Sequence, residues 1–168
     1  MVLLSSRLRW ALACTIALSA GCIGQTAEQT EADSLGPDTS GHPSGPLHRA
    51  GFPCTRCHGE AWWQQSPVFE LAGTIYRKAD DARGLNNAEV IVRDATGREV
   101  IARTNQSGNF YFEKGDANLE FPLRVSVRSG DQEQTMRGLI WRERSCAACH
   151  SGDPGEASNG RVFVEASP

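Results

Sequence analysis

The sequence has no excess of positive charge: its 168 residues carry 17 Lys and Arg against 20 Asp and Glu, for a formal net charge of −3. Nucleic-acid-binding domains normally present a basic patch, so we expect no nucleic-acid partner. No Ser/His/Asp or paired-carboxylate constellation stands out, and there is no glycine-rich phosphate loop. These absences argue against hydrolytic and nucleotide-dependent enzymes.

The sequence also lacks a persuasive membrane span. Its N-terminal apolar run, residues 10–20, is short and follows Arg7 and Arg9, which is typical of a bacterial export signal. The small residues before Cys22 resemble a lipoprotein cleavage box, although Ser19 stands where a large aliphatic residue is usual. We therefore predict a lipoprotein-type signal peptide over residues 1–21. Lipidated Cys22 would then anchor the mature chain in the cell envelope, in the periplasm or outer membrane.

The alternative for this region is an ordinary signal peptide cut nearby, which would leave Cys22 a plain thiol. Beyond Cys22, large apolar residues are almost absent as far as Leu47, and Gly, Pro, Ser, Thr, Asp and Glu predominate. Such a segment buries too little apolar surface to offset its ordering entropy. We predict that residues 22–47 are a flexible tether and that residues 48–168 form one folded domain.

Helical periodicity is missing from the folded part, and short runs of β-branched and aromatic residues alternate with polar ones instead. Gly, Asn and Asp turns separate these runs, as in antiparallel sandwiches. The predicted class is all-β. The predicted strands are residues 69–76, 88–93, 99–104, 109–113, 121–128 and 160–164, with another strand within 134–141.

Three segments of the central region carry a family resemblance: Leu71-Ala-Gly-Thr-Ile-Tyr76, Asn87-Ala-Glu-Val-Ile-Val92 and Thr104-Asn-Gln-Ser-Gly-Asn-Phe-Tyr-Phe112. In this order they resemble the carboxypeptidase regulatory-like and Cna-B-like domains. The resemblance covers somewhat under half of the chain. It implies a transthyretin-like Greek-key sandwich, here with haem-binding loops at its ends, and it implies no shared chemistry.

Two Cys-x-x-Cys pairs, each followed at once by histidine, carry the chemistry: Cys54-Thr-Arg-Cys-His58 and Cys146-Ala-Ala-Cys-His150. This is the attachment signature of c-type haem, in which two thiols form thioethers and the histidine binds the iron. We expect two covalently bound haem c groups. The predicted site comprises thioether cysteines and proximal iron ligands: Cys54, Cys57, Cys146 and Cys149, with His58 and His150.

Two other interpretations account for the same four cysteines. They could bind one zinc ion tetrahedrally, or disulfides between the pairs could join the N-terminal arm to the C-terminal loop. Both leave the two adjacent histidines as coincidences. Thioredoxin-like redox chemistry would need a helix start within an α/β pattern, which this sequence lacks.

Histidine is scarce elsewhere, because the chain contains only four. His48 and His42 are therefore the candidate distal ligands of the two irons, and Met136 is the runner-up. The simpler interpretation is that His48 and His42 are solvated linker residues. Nearby tryptophans could pack on haem or on the core, and nearby arginines could pair with propionates: Trp62, Trp63 and Trp141, with Arg56, Arg142 and Arg144.

With two such motifs, the chain resembles dihaem c-type cytochromes. The resemblance implies electron transfer between redox partner proteins, with membrane contact through the lipid anchor only. An enzyme such as a haem peroxidase is not expected, because the histidine count predicts two filled irons. We expect both motifs at one end of the sandwich. The alternative function is a non-redox adhesive or carbohydrate-binding sandwich, with the cysteines on zinc or in disulfides.

Overall fold

The computed structural model describes residues 26–38, 41–42, 44–62, 64–152, 155 and 158–164. The predicted signal peptide and Cys22 lie outside these residues. Within this part of the chain, no helix combines the length and the apolar character that crossing a membrane requires.

Strands make up most of the regular structure, and they coincide with the β-branched and aromatic runs of the sequence. Their bounds are β1 Phe69–Tyr76, β2 Glu89–Arg93, β3 Glu99–Arg103, β4 Asn109–Glu113, β5 Arg124–Ser129, β6 Gln132–Thr135 and β7 Val162–Phe163. The prediction of an all-β chain is confirmed. Three single-turn 3₁₀ helices lie outside the strands, at Cys54–Arg56, Glu60–Trp62 and Cys146–Ala148.

The strands form two sheets. One has the order β4-β1-β7, and the other has the order β3-β2-β5-β6. All pairs are antiparallel except β1 with β7, which run parallel with Ile75 opposite Val162. A bulge interrupts the register of β1 and β4 between Phe69 and Leu71.

One hydrophobic core lies between the sheets. Leu71 and Ile75 of β1 alternate with residues of the opposite face and point into the core. Phe110 of β4 joins them from the same sheet, and Val90 and Val127 from the other. Since both sheets contribute to this one cluster, the molecule is a two-layer β-sandwich.

Five predicted strands differ from the observed ones at their ends, three of them by only one or two residues. The other two differ more. The segment predicted from Phe121 starts at Arg124 instead, two residues after Pro122, which has no N–H to donate to a neighbouring strand. In the predicted segment 134–141, β6 covers only the first residues and begins earlier, at Gln132. The chain then leaves the sheet and returns only for the bridge between Ile140 and Leu123.

The described part of the predicted tether contains one short helix, α1, over Ala27–Asp33. The Thr26 hydroxyl caps it by accepting a hydrogen bond from the Gln29 N–H. None of its residues is buried. Its contact with the folded domain includes an exposed ion pair at 3.0 Å between Glu31 and Arg56, which contributes little stability.

We expect Leu71→Ala to lower the free energy of unfolding by about 2–5 kcal/mol, because Leu71 is 0% exposed and the truncation leaves a cavity. Ile101→Ala is the matched control, since Ile101 is 49% exposed on β3. It should cost less than about 1 kcal/mol. Urea unfolding measures both, and equal losses would contradict the placement of the core.

Candidate functional site

The two Cys-x-x-Cys-His motifs adopt the same backbone turn. In the first, the carbonyl of Cys54 accepts hydrogen bonds from the N–H groups of Cys57 at 3.2 Å and His58 at 2.9 Å. In the second, the carbonyl of Cys146 accepts the equivalent bonds, at 3.2 and 2.8 Å. Two segments offset by 92 positions in the chain thus present their cysteines and histidine in one local geometry.

Backbone carbonyls orient both motif histidines. Nδ1 of His58 lies 2.8 Å from the carbonyl oxygen of Pro67, and Nδ1 of His150 lies 2.9 Å from that of Gly160. A carbonyl can only accept, so each Nδ1 must be the protonated nitrogen that donates. The lone pair of each neutral ring is therefore on Nε2, which is the arrangement found in metal-binding histidines.

Strand β1 holds both motifs. The Phe69 N–H donates to the carbonyl of His58, and the Ala72 N–H donates to the carbonyl of Arg144, both at 2.9 Å. Ser145 also forms a parallel bridge with Ala72. The two attachment points are three residues apart, or about 10 Å along a strand.

The second motif packs closely on β1 because residue 73 is glycine. A Cβ at Gly73 would lie 2.7 Å from Cys146 Cβ and 2.9 Å from Cys146 Sγ. Burial raises the pKa of the Cys146 thiol to about 12, and the neighbouring Cys54 thiol contributes to this rise. Burial likewise raises the pKa of Cys54 to about 11. Both leading cysteines are thus neutral thiols at neutral pH, and each lies in an environment that favours uncharged sulfur.

A first cleft of about 270 Å³ opens beside the first motif. His48 and His58 both line it, with their ring centroids 5.7 Å apart. The His58 ring stacks on Phe69 at 4.1 Å, and Phe69 stacks in turn on Tyr111 at 4.7 Å. This cleft is mostly apolar and offers two imidazoles.

His48 is held in place by hydrogen bonds from side chains of the sandwich. The amide of Asn109 donates to the carbonyl of His48 at 2.9 Å, and the Thr74 hydroxyl donates to Asn109 at 2.7 Å. Thr74 also accepts a hydrogen bond from the Gly51 N–H at 2.8 Å. Nδ1 of His48 contacts the carbonyl of Gly45, so all three cleft histidines share the same anchoring.

A second cleft of about 180 Å³ opens beside the second motif. His150 is the single histidine among its described lining residues. Thr74 and Tyr76 contribute hydroxyl groups to the lining, and Arg161 contributes a guanidinium group. Arg161 donates to the carbonyl of Asp81 at 2.8 Å and lies 4.9 Å above the Tyr76 ring. Phe52 lines both clefts, so they adjoin each other.

The residues fit a haem attached at each motif. Three buried side-chain atoms in the described part of the chain lack a hydrogen-bond partner: Nη1 of Arg49, Nε1 of Trp62 and Oγ of Ser145. Arg49 lines the first cleft, so its unpaired N–H suits a carboxylate such as a haem propionate. Ser145 directly precedes Cys146, and Trp62 lies four residues after His58. Of these three residues, Arg49 is the one that lines a cleft, and its unmet polar group lies where the first motif predicts a cofactor.

The four motif cysteines, Cys54, Cys57, Cys146 and Cys149, form no disulfide in the structure. Among the described residues, no group of three or more His, Cys, Asp and Glu is arranged to hold a metal ion.

Several residues singled out in the sequence lie away from the clefts. His42 and Met136 are not among the described residues that line either one. Trp141 is 69% exposed, and Trp63 lies outside the described residues. Arg56 pairs with Glu31, and Arg144 lies 5.9 Å above the Phe121 ring.

Four residues of the site were missed in the sequence: Phe52, Gly73, Arg49 and Arg161. Only Phe52 and Arg49 carried a signal, namely their closeness to the first motif. Comparisons with family models, with curated proteins and with solved structures find no match to this chain.

We expect Gly73→Ala to lower the free energy of unfolding by about 1–3 kcal/mol, because the added methyl group overlaps the Cys146 side chain. Gly138→Ala is the matched control, since its nearest contact would be the flexible end of Met136 at 3.9 Å. The control should change stability by about 0.5 kcal/mol or less. Indistinguishable urea curves for the two variants would refute the close packing of the second motif.

Proposed function

We propose that this protein is an exported dihaem c-type cytochrome that transfers electrons between redox partner proteins at the bacterial cell envelope. The observation that carries the proposal is the duplicated geometry of the motifs. Each Cys-x-x-Cys-His turn presents a histidine whose Nδ1 is held by a carbonyl and whose Nε2 is left to bind a metal. Each turn also borders a cleft of its own.

Haem, when bound, supplies a metal that accepts and releases one electron at a time. The residues of this chain attach and orient it. Cys54 and Cys57 would bind one haem through thioethers, and Cys146 and Cys149 the other. Because a thioether is uncharged, it suits the buried positions of Cys54 and Cys146, where ionised sulfur is disfavoured.

Histidines complete the proposed iron sites. His58 and His150 are the proximal ligands, and His48 is the distal ligand of the first iron. Burial lowers the pKa of His58, while its hydrogen bond to Pro67 acts in the opposite direction. The net lowering favours the neutral imidazole, which is the form that binds iron. Arg49 is placed to pair with a propionate of the first haem.

The proposed fold type is a transthyretin-like Greek-key sandwich. The chain order supports it, because β1 belongs to one sheet, β2 and β3 to the other, and β4 returns to the first. Export and lipidation at Cys22 remain part of the proposal, supported by the N-terminal sequence pattern and by the extracytoplasmic context in which c-type haem is attached. The described tether residues would separate the domain from the membrane.

The two haems would be neighbours, since their motifs attach to β1 about 10 Å apart. Cys54 lies close enough to Cys146 to influence its pKa. Adjacent one-electron carriers permit a relay inside one small domain. A relay of this kind requires no catalytic residue, so the proposed activity is that of a carrier rather than an enzyme.

We expect Cys54→Ala to abolish one covalent haem and spare the other, with Cys149→Ala giving the reciprocal result. Each motif is complete in itself, so neither should depend on the other for thioether formation. Pyridine haemochrome assay with intact-mass spectrometry counts the haems. If either variant keeps two covalent haems, the attachment assignment is wrong. Stoichiometric zinc without a Soret band in the wild-type protein would refute the proposed function.

We expect His48→Ala to leave the covalent haem count unchanged and to convert one iron from low spin to high spin. The distal histidine contributes only the sixth bond, whereas the thioethers and the proximal histidine remain. Electron paramagnetic resonance of the oxidised protein measures this change. His42→Ala, outside the first cleft, should leave the spectrum as it is. Identical spectra for His48→Ala and wild type would contradict the ligand assignment.

A further inference from the structure

The two clefts differ in the number of strong iron ligands they offer. The first contains His58 and, 5.7 Å from it, His48. The second contains His150 and no other histidine or methionine among its described lining residues. This asymmetry is independent of the motifs themselves, which are alike.

The rest of the chain contains few other residues that could act as a second ligand to the iron at His150. With His58, His150 and His48 placed, His42 is the remaining histidine, and Met136 is the only methionine besides Met1. His42 lies in the arm just before Gly45, a residue of the first cleft's wall. Met136 follows β6, where its N–H donates to Val125 in the sheet that carries neither motif. Neither residue is among the described residues that line the cleft of His150.

We infer that the second motif holds its iron with one axial ligand, His150, and that the open position binds a small neutral diatomic molecule such as carbon monoxide or nitric oxide. This inference rests on the proposed function, because it presupposes a haem at each motif. It goes further by assigning the motifs different tasks, and it departs from the expectation that the four histidines fill both irons. The first iron, closed by two histidines, only carries electrons, while the second also has a site for an exogenous ligand.

The walls of the second cleft suit such a ligand. The Tyr76 hydroxyl reaches the arm and would lie 2.6 Å from a Cβ at Gly51. Arg161 lies over the same ring and is tied to the loop carbonyl of Asp81. A hydroxyl and a guanidinium therefore border the cleft, and both can donate hydrogen bonds to a polarised diatomic.

The test is a carbon monoxide titration of the dithionite-reduced, haem-loaded full chain, with haem counted by the pyridine haemochrome assay. We expect about one carbon monoxide for every two haems. His48→Ala should raise this to about two per chain, because it opens the first iron as well. The double change Cys146→Ala, Cys149→Ala should abolish binding, because only the closed first site remains.

A second measurement locates the ligand without altering attachment. Tyr76→Phe should shift the C–O stretching frequency in the infrared while leaving about one carbon monoxide bound. Tyr111→Phe is the matched control, because Tyr111 lines the first cleft, and it should leave the frequency unchanged.

The possible outcomes distinguish a failure of the open iron site from a failure of the dihaem assignment. Two haems with no carbon monoxide bound would overturn the open site and leave the dihaem assignment intact. Carbon monoxide retained in the Cys146/Cys149 double variant would also overturn it, because the ligand would then sit at the first motif. Absence of covalent haem would refute the proposed function itself.

Discussion

The candidate site depends on the backbone of β1. Every residue of this strand is buried, although in a sandwich one face normally meets solvent. The inner face, with Leu71 and Ile75, forms the core, and the outer face, with Thr74 and Tyr76, contacts the N-terminal arm. The edge of the strand pairs with the segment that leads into the second motif. One strand therefore contributes to the core through Leu71 and Ile75, to the first cleft through Phe69, and to the second cleft through Thr74 and Tyr76.

This arrangement explains why residues with no chemistry of their own matter to the site. Gly73 must lack a side chain for Cys146 to approach. Thr74 links Gly51 to Asn109 through two hydrogen bonds, and Asn109 holds the carbonyl of His48. Loss of the hydrogen bonds of Thr74 or Asn109 would loosen the arm and change the distance between His48 and His58, even though the motif itself stayed intact.

Much of the fold followed from local pattern. Phe69–Tyr76 and Asn109–Glu113 were predicted to the residue because alternation and turn residues define such strands locally. The motif turns were equally local, since the Cys-x-x-Cys-His spacing allows few backbone shapes. By contrast, the end of β6 and the bridge of Ile140 to Leu123 depend on packing between distant segments, which no window of sequence contains.

The same distinction applies to the site. His48 and His42 are six residues apart on one arm, and nothing local separates them. Only the contacts of Pro46 and His48 with Asn105 and Asn109, some 60 positions away in the chain, bring His48 to the cleft. Arg161 was unpredictable for the same reason, because its partners Tyr76 and Asp81 are about 80 positions distant.

The position of Phe52 links the two halves of the site. Its ring belongs to the walls of both clefts, and the Arg49 guanidinium lies 5.5 Å from its centroid. With a haem bound at each motif, an apolar ring at this point would lower the dielectric between the two cofactors and strengthen the influence of each charge on the other. An electron on one haem would therefore affect the potential of its neighbour more than it would across solvent. The two sites are better described as one coupled unit on β1 than as two independent carriers.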